Sequence, residues 1–310
     1  MQEFLSLFNM ALLSATLRVS TPLILAGLGY VICVQAGVVD MGLEGKLLFG
    51  AFLSVFITGI TGSQLLGVLA AMTGTALYSY IIGLVMVRLH ANHTIVGIGS
   101  NFIVQGITAV LLVIVWDNAG TSDNYGKLDH VLTDWFAKIP GIGGLFTRQT
   151  TIMPIAYLLV FIITIWLFKT KTGLRLRAIG ENPAAADSLG LNVYRYRMLA
   201  CALSGLLCGL GGADLAIGQL GYFAKEMTSG RGYMALACAV VGRFNPKGMV
   251  IACIFVAFVD AIQVRLQTLY SISPEFFQII PYLIPVIVIS CVGGIKAPSG
   301  AGKPFLRGER

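Results

Sequence analysis

The chain has 310 residues, of which 56% are hydrophobic and only 11% charged, with a formal net charge of +7. A soluble domain carries about 25% charged residues, so this composition excludes an ordinary soluble fold. The basic excess falls in short breaks between apolar runs, which is a membrane-topology pattern and excludes nucleic acid as its cause.

Apolar runs near the roughly 20 residues that cross a bilayer predict spans at 17–34, 43–60, 64–88, 95–116, 151–168, 198–218, 232–242, 249–269 and 277–293. The runs are continuous rather than alternating, which excludes a β-barrel. The expected fold is all-α, a single transmembrane domain over 1–310 with about nine spans. Eight to ten are possible, because the first sixteen residues can add a partial span or an interfacial helix. No cleavable signal peptide is expected, since Glu3 stands where a basic region would and the first positive charge is Arg18. The seventh run is short for a straight crossing, so it extends back toward Phe223 or is broken or re-entrant.

Just past the first span lies "AGVVDMGLEG", residues 36–45, where Gly37, Gly42 and Gly45 weaken any helix. Asp40 and Glu44 are four apart within it. The segment is either a simple loop or irregular backbone buried between helices and lining a cavity. The regular glycines and apolar flanks favour the second. In the fourth run Asn101 and Gln105 are also four apart and share a helix face. Polar groups inside spans are costly, so these two, with Glu44 and Asp260, are the candidate translocation-path residues. Asp260 and Gln263 share a face three apart, Arg265 snorkels or pairs with an acid, and Asp214 lies late in the sixth run. Interhelical hydrogen bonding that only holds the bundle together is the alternative for all of them. Gly205 and Gly209 have the spacing of a helix-packing face.

Loop charge sets the orientation. The loop 169–197 holds Lys169, Lys171, Arg175, Arg177, Arg195 and Arg197 against Glu181 and Asp187. The tail 293–310 holds Lys296, Lys303, Arg307 and Arg310 against Glu309. Both are expected to be cytoplasmic, and an even number of spans separates them. The loop 117–150 is net acidic and is expected outside, as a cap or as a docking surface for an external partner. Within the basic loop, "GENPAAADSLG" (180–190) reads as a short helix with marked ends. Asn182 is its N-cap, Pro183 its first residue and Gly190 its stop.

Nothing in the chain predicts covalent chemistry. His90, His93 and His130 lack metal spacing, and the six cysteines form no C-x-x-C pair. Around Gly45-Lys46 and Gly302-Lys303 the phosphate-loop pattern fails, because Asp40 and Ala297 stand where its first glycine belongs. No cofactor or metal is expected on this chain. If ATP is used, another chain binds it.

Three stretches carry a resemblance: "STPLILAGLGYVICVQAGVVDMGLEG" (20–45), "GLRLRAIGENPAAADSLGLN" (173–192) and "GRGYMALACAVVGRFNPKG" (230–248). They resemble the permease subunits of bacterial ABC importers, in the branched-chain amino acid and simple-sugar permease family. Within it they look most like nucleoside and simple-sugar permeases served by basic-membrane-protein-type lipoprotein receptors. The resemblance implies a multi-pass permease of the cytoplasmic membrane that translocates a nucleoside or simple sugar. It implies a second permease subunit, the same or different, an ABC ATPase that uses ATP and Mg on the cytoplasmic side, and an external substrate-binding lipoprotein. It also implies that Glu181, Asn182, Pro183, Ala184, Ala185, Ala186, Asp187 and Ser188 touch the ATPase. Where relatives often carry Asn, this chain has Asp40. The residues alone leave a second class open, an ion-coupled secondary transporter with Asp260 or Asp214 at an ion site.

Overall fold

The computed structural model describes residues 10–128, 149–269, 283, 290 and 297–305. The predicted span 277–293 lies outside the described residues except at those two positions, as does most of the acidic loop. Among the described residues, helices account for the architecture, and the one extended pairing is an isolated bridge between Thr121 and Ala224.

In chain order the long helices are α1 (Met10–Gln35), α2 (Leu43–Thr61), α3 (Gln64–Val87), α4 (His93–Trp116) and α5 (Ile152–Lys169). Two short helices follow, α6 (Lys171–Glu181) and α7 (Pro183–Ser188). Then come α8 (Val193–Ala213), running on into a π-helical turn (Asp214–Leu220), α9 (Arg231–Val241) and α10 (Pro246–Leu269). Seven of these are long and apolar enough to cross a membrane.

Burial sorts them into layers. In its most apolar window α1 is 83% buried, as is α8, whereas α3 is 22% and α4 and α5 are 28%. The inner pair is therefore wrapped by protein, and the outer three expose Leu, Ile, Val and Phe side chains such as Leu65, Phe102 and Phe161. Small residues let α8 and α3 approach. A Cβ on Gly209 would lie 3.0 Å from Met72 Cα, and one on Gly205 would lie 2.8 Å from Ala76 Cα. The 205/209 pair is thus a packing face, as its spacing predicts.

The first span starts earlier than the apolar run. Residues 10–16 belong to α1, which continues through Pro22. A proline has no N–H for the carbonyl four residues back, here that of Arg18. That carbonyl instead accepts a 3.3 Å bond from Gln219 Nε2 in the π-helical turn. Gln219 also donates to Asp214 Oδ2 at 2.9 Å, and Thr150 Oγ1 donates to Asp214 Oδ1 at 2.5 Å. The extra residue in the π-turn is what brings Asp214 and Gln219 to α1.

Two ends can be told apart by contacts. At one, Gln35 Nε2 donates to Phe244 O (2.9 Å), Gly302 N to Gly37 O (3.1 Å) and His90 Nε2 to Phe305 O (3.0 Å). This, the near end, carries α6, α7 and residues 297–305, and the opposite one is the far end. At the other, Gln64 Nε2 donates to Lys127 O (2.7 Å), Ser122 N to Phe223 O (2.8 Å) and Gln149 Nε2 to Ser14 O (2.6 Å). The tail and the basic loop share one end and residues 117–128 hold the other, as loop charge predicts.

Between Phe223 at the far end and Phe244 at the near end the chain crosses without a continuous helix. Its helical part, α9, has 11 residues, about 16 Å, or roughly half of a 30 Å hydrocarbon layer. The seventh run is a broken crossing, with 221–230 irregular. The "AGVVDMGLEG" segment is likewise irregular and buried over 36–42, but the helix resumes at Leu43, so Glu44 and Lys46 lie in α2 rather than at a turn. Arg197 does not belong with the loop charges as expected: α8 begins at Val193, and Arg197 is 1% exposed.

Candidate functional site

At the near end the capped helix forms as read. Asn182 Oδ1 accepts from Ala185 N at 3.0 Å, and Pro183 fills the first helical position. Gly190, at φ +81°, turns the chain out of the helix, and Gly190 N donates to Asp187 O at 2.9 Å. Ser188 Oγ folds back on Ala185 O at 2.8 Å. The helix buries Ala186 against Ile179, Val193 and Phe305. It exposes Ala184, Ala185 and Ser188, with Glu181 and Asn182 exposed ahead of it and Asp187 half-buried. Leu189, just past the helix, is 82% exposed.

A strap made of residues 297–305 backs this helix. Ser299 Oγ donates to Glu181 O, and Ser299 N to Glu181 Oε2 at 3.2 Å. Gly300 N donates to Gly180 O at 2.9 Å. From behind, Arg197 Nη1 donates to Lys303 O (3.1 Å) and Nη2 to Gly300 O (3.3 Å), while Tyr194 Oη donates to Phe305 O (2.9 Å). A recess of about 350 Å³ lies between strap and helix, lined by Glu181, Asn182, Pro183, Ala184, Ser299 and Lys303 among others. The strap was not anticipated from sequence. One signal was available: Arg197 lies four residues from both Val193 and Cys201, on the buried stripe of α8.

Within the membrane-spanning part, Glu44 and Asn101 come together at the broken crossing. The Glu44 carboxylate accepts from Gly230 N (2.8 Å) and Gly232 N (2.6 Å), the free amides at the start of α9. Asn101 Oδ1 accepts from Gly45 N (2.8 Å), and its Nδ2 donates to Met41 O (3.0 Å) and Tyr233 Oη (2.9 Å). Both side chains are buried, Asn101 at 0% and Glu44 at 4%, so they set backbone and a tyrosine in place. Gln105, one turn farther along α4, is half-buried. Asp260 is half-buried on α10, with Arg231 within electrostatic range. Asp214 sits apart, in the π-turn network.

Beneath this cluster lies a buried ion pair of Lys46 and Asp40, each 1% exposed. Asp40 Oδ1 also accepts from Gly42 N at 3.0 Å, and Val39 N donates to His93 Nδ1 at 3.2 Å. The aspartate thus ties the irregular 36–42 segment to the first turns of α2.

Among the described residues no three His, Cys, Asp or Glu side chains are grouped to hold a metal ion. A bundle of apolar helices, one crossing broken and pinned by buried polar groups, is the architecture of a multi-pass membrane protein. Residues 12–289 match the family described as "Branched-chain amino acid transport system / permease component", and the chain belongs to it. It is a transport subunit rather than an enzyme. It is similar to the guanosine ABC transporter permease protein NupQ of Bacillus subtilis (strain 168), 34% identical over 96% of this chain and 96% of that one. The nucleoside ABC transporter permease protein NupC of Lactococcus lactis subsp. cremoris (strain MG1363) is 33% identical over 94% of this chain and 95% of its own. A second Bacillus subtilis protein, the guanosine ABC transporter permease protein NupP, is 25% identical over 89% of this chain and 80% of its own.

Proposed function

We propose that this chain is one of two permease subunits of an ATP-driven importer of nucleosides in the bacterial cytoplasmic membrane. The observation that carries the reading is full-length similarity to permeases named for guanosine and nucleosides. That two distinct Bacillus subtilis proteins bear the guanosine permease name supports pairing with a second, different permease. The bare apolar faces of α3, α4 and α5 are surface enough for that partner and for lipid. Nine crossings are the count we propose: the seven long helices, the broken crossing and the apolar run 277–293.

The end bearing α7 and the strap faces the cytoplasm and receives the ATPase. ATP and Mg are bound by that partner. Residues 181–188 form the contact, with Leu189 as an added apolar anchor. The small Ala184 and Ala185 let the helix seat closely in the ATPase groove, and the caps keep it stiff. Force on α7 reaches the bundle through the strap, which bonds both to Glu181 and to Gly37 at the joint between α1 and α2. The ATPase drives the cycle by binding the two arrangements of the permease unequally. An external lipoprotein delivers the solute at the far end. The translocation path runs along the broken crossing, framed by Glu44 and Asn101, with Gln105 and Asp260 bordering it.

The test is uptake of labelled guanosine by proteoliposomes holding both permeases, the ATPase and the receptor. Uptake is expected only with hydrolysable ATP, and Ala185→Glu is expected to abolish receptor-stimulated hydrolysis while leaving the permeases folded. Uptake that persists without ATP and collapses with an ionophore would instead assign an ion-coupled carrier.

A further inference from the structure

Tyr233 is 44% exposed, yet its hydroxyl is fixed. It accepts a 2.9 Å bond from Asn101 Nδ2, and Asn101 is itself fully buried and bonded to Gly45 N and Met41 O. On the residue just before it, Gly232 N is locked by Glu44 Oε2 at 2.6 Å. The backbone under the ring and the tip of the ring are therefore both held, while the side chain between them stays partly exposed.

The depth of this ring decides what it can meet. Asn101 lies eight residues into α4 from His93, about 12 Å in from the near end. The ring is inside the hydrocarbon thickness. Directly before it the backbone of 227–230 is non-helical, and Ser229, whose Oγ donates to Glu226 O at 3.3 Å, is exposed. Non-helical backbone at that depth is tolerated only where protein buries it or a water-filled space adjoins it, so the exposed side of Tyr233 faces water or another protein lining a water-filled space. Arg231, half-buried beside it, holds the same segment, its Nη1 donating to Met227 O at 3.1 Å. An anchored aromatic face on a watery lining suits a flat, neutral ring.

We propose that Tyr233 is a ring-stacking subsite of the translocation path, which takes the planar base of a nucleoside on its face as the solute passes the break. The proposal rests on the nucleoside reading above and adds a residue and a contact to it. Asn101 is the positioning residue that aims the ring. A single stack slows a base without holding it, which is what a site that must also release requires.

The experiment compares Tyr233→Phe and Tyr233→Leu in the full reconstituted importer. Phe keeps the face and loses the anchored hydroxyl, and Leu keeps apolar bulk and loses the face. Guanosine uptake is expected to fall roughly tenfold or more in Tyr233→Leu. Tyr233→Phe is expected to retain most of it. The preference for purine over pyrimidine nucleosides is expected to shrink in Tyr233→Leu alone, a readout that a merely structural role would not move. Melting temperature and receptor-stimulated ATP hydrolysis report that each complex is folded and coupled. Guanosine uptake in Tyr233→Leu equal to wild type, or equal losses in Leu and Phe with unchanged purine preference, overturns the stacking subsite while the nucleoside reading stands. A wild-type complex that carries no nucleoside at all overturns both.

Discussion

Replacing Glu44 with alanine is the sharpest probe of the broken crossing. The wild-type carboxylate is the acceptor for two amides at the start of α9, at 2.8 and 2.6 Å. Alanine leaves both N–H groups inside the protein with no acceptor. An unpaired buried amide costs about 1–3 kcal/mol, so the pair costs about 2–6 kcal/mol. The same change removes a buried carboxylate and its desolvation cost, which moves the expectation to the lower half of that range. Even about 2 kcal/mol is a large share of the roughly 5–15 kcal/mol that holds a typical domain together. Hydrogen–deuterium exchange on the purified protein in nanodiscs reads the effect locally. About 2 kcal/mol corresponds to exchange roughly thirtyfold faster in peptides spanning Gly230 to Tyr233, with peptides from α3 unchanged. Glu44→Gln retains one acceptor and is expected to fall between. Wild-type exchange rates in Glu44→Ala would refute the reasoning, because the carboxylate would then not be what holds the break.

The remaining expectations concern the joint and the helix packing. Asp40→Asn strands the buried Lys46 charge and is expected to cost about 3–5 kcal/mol of stability, whereas Asp40→Asn with Lys46→Met recovers most of it; a thermal melt in which the double variant is no better than the single one would show that the pair is not the cause. Gly209→Val drives a side chain into the backbone of α3, where even a Cβ lies 2.9 Å from the Ala71 carbonyl carbon, and is expected to abolish a monodisperse peak in size-exclusion chromatography. Gly99→Ala on α4, where an added Cβ meets nothing within 4 Å, is the matched control and is expected to leave that peak unchanged or raise the melting temperature, since alanine is about 1 kcal/mol the better helix former.

What could be read from the sequence was local. The spans follow from runs of apolar residues, and their errors are at the ends, where α1 begins seven residues before its run and α8 five before its own. The α7 helix was legible because capping is a matter of neighbours: Asn182 reaches Ala185, and Gly190 needs only its own φ. The broken crossing was legible as a shortage of length. Its cause was not, because Glu44 and Gly230 stand 186 positions apart and nothing in either segment names the other. Arg197 was misplaced for a related reason. Charge counting treats every arginine near a span end as solvated, while the tail carbonyls that receive this one lie more than a hundred positions away. Tyr233 was passed over because an aromatic residue in an apolar run carries no sign of which way it faces.

The strap carries a consequence for how the protein is made. Synthesis proceeds from the N-terminus, so Gly180, Glu181 and Arg197 have left the ribosome before residues 297–305 exist. Until those residues arrive, Arg197 has no carbonyl partners from Gly300 and Lys303, and the recess beside α7 has only one wall. Residues 297–305 therefore complete the second wall of the recess only after the rest of the bundle has been made. A chain that stops short of residue 297 leaves Arg197 without these acceptors and α7 without its backing.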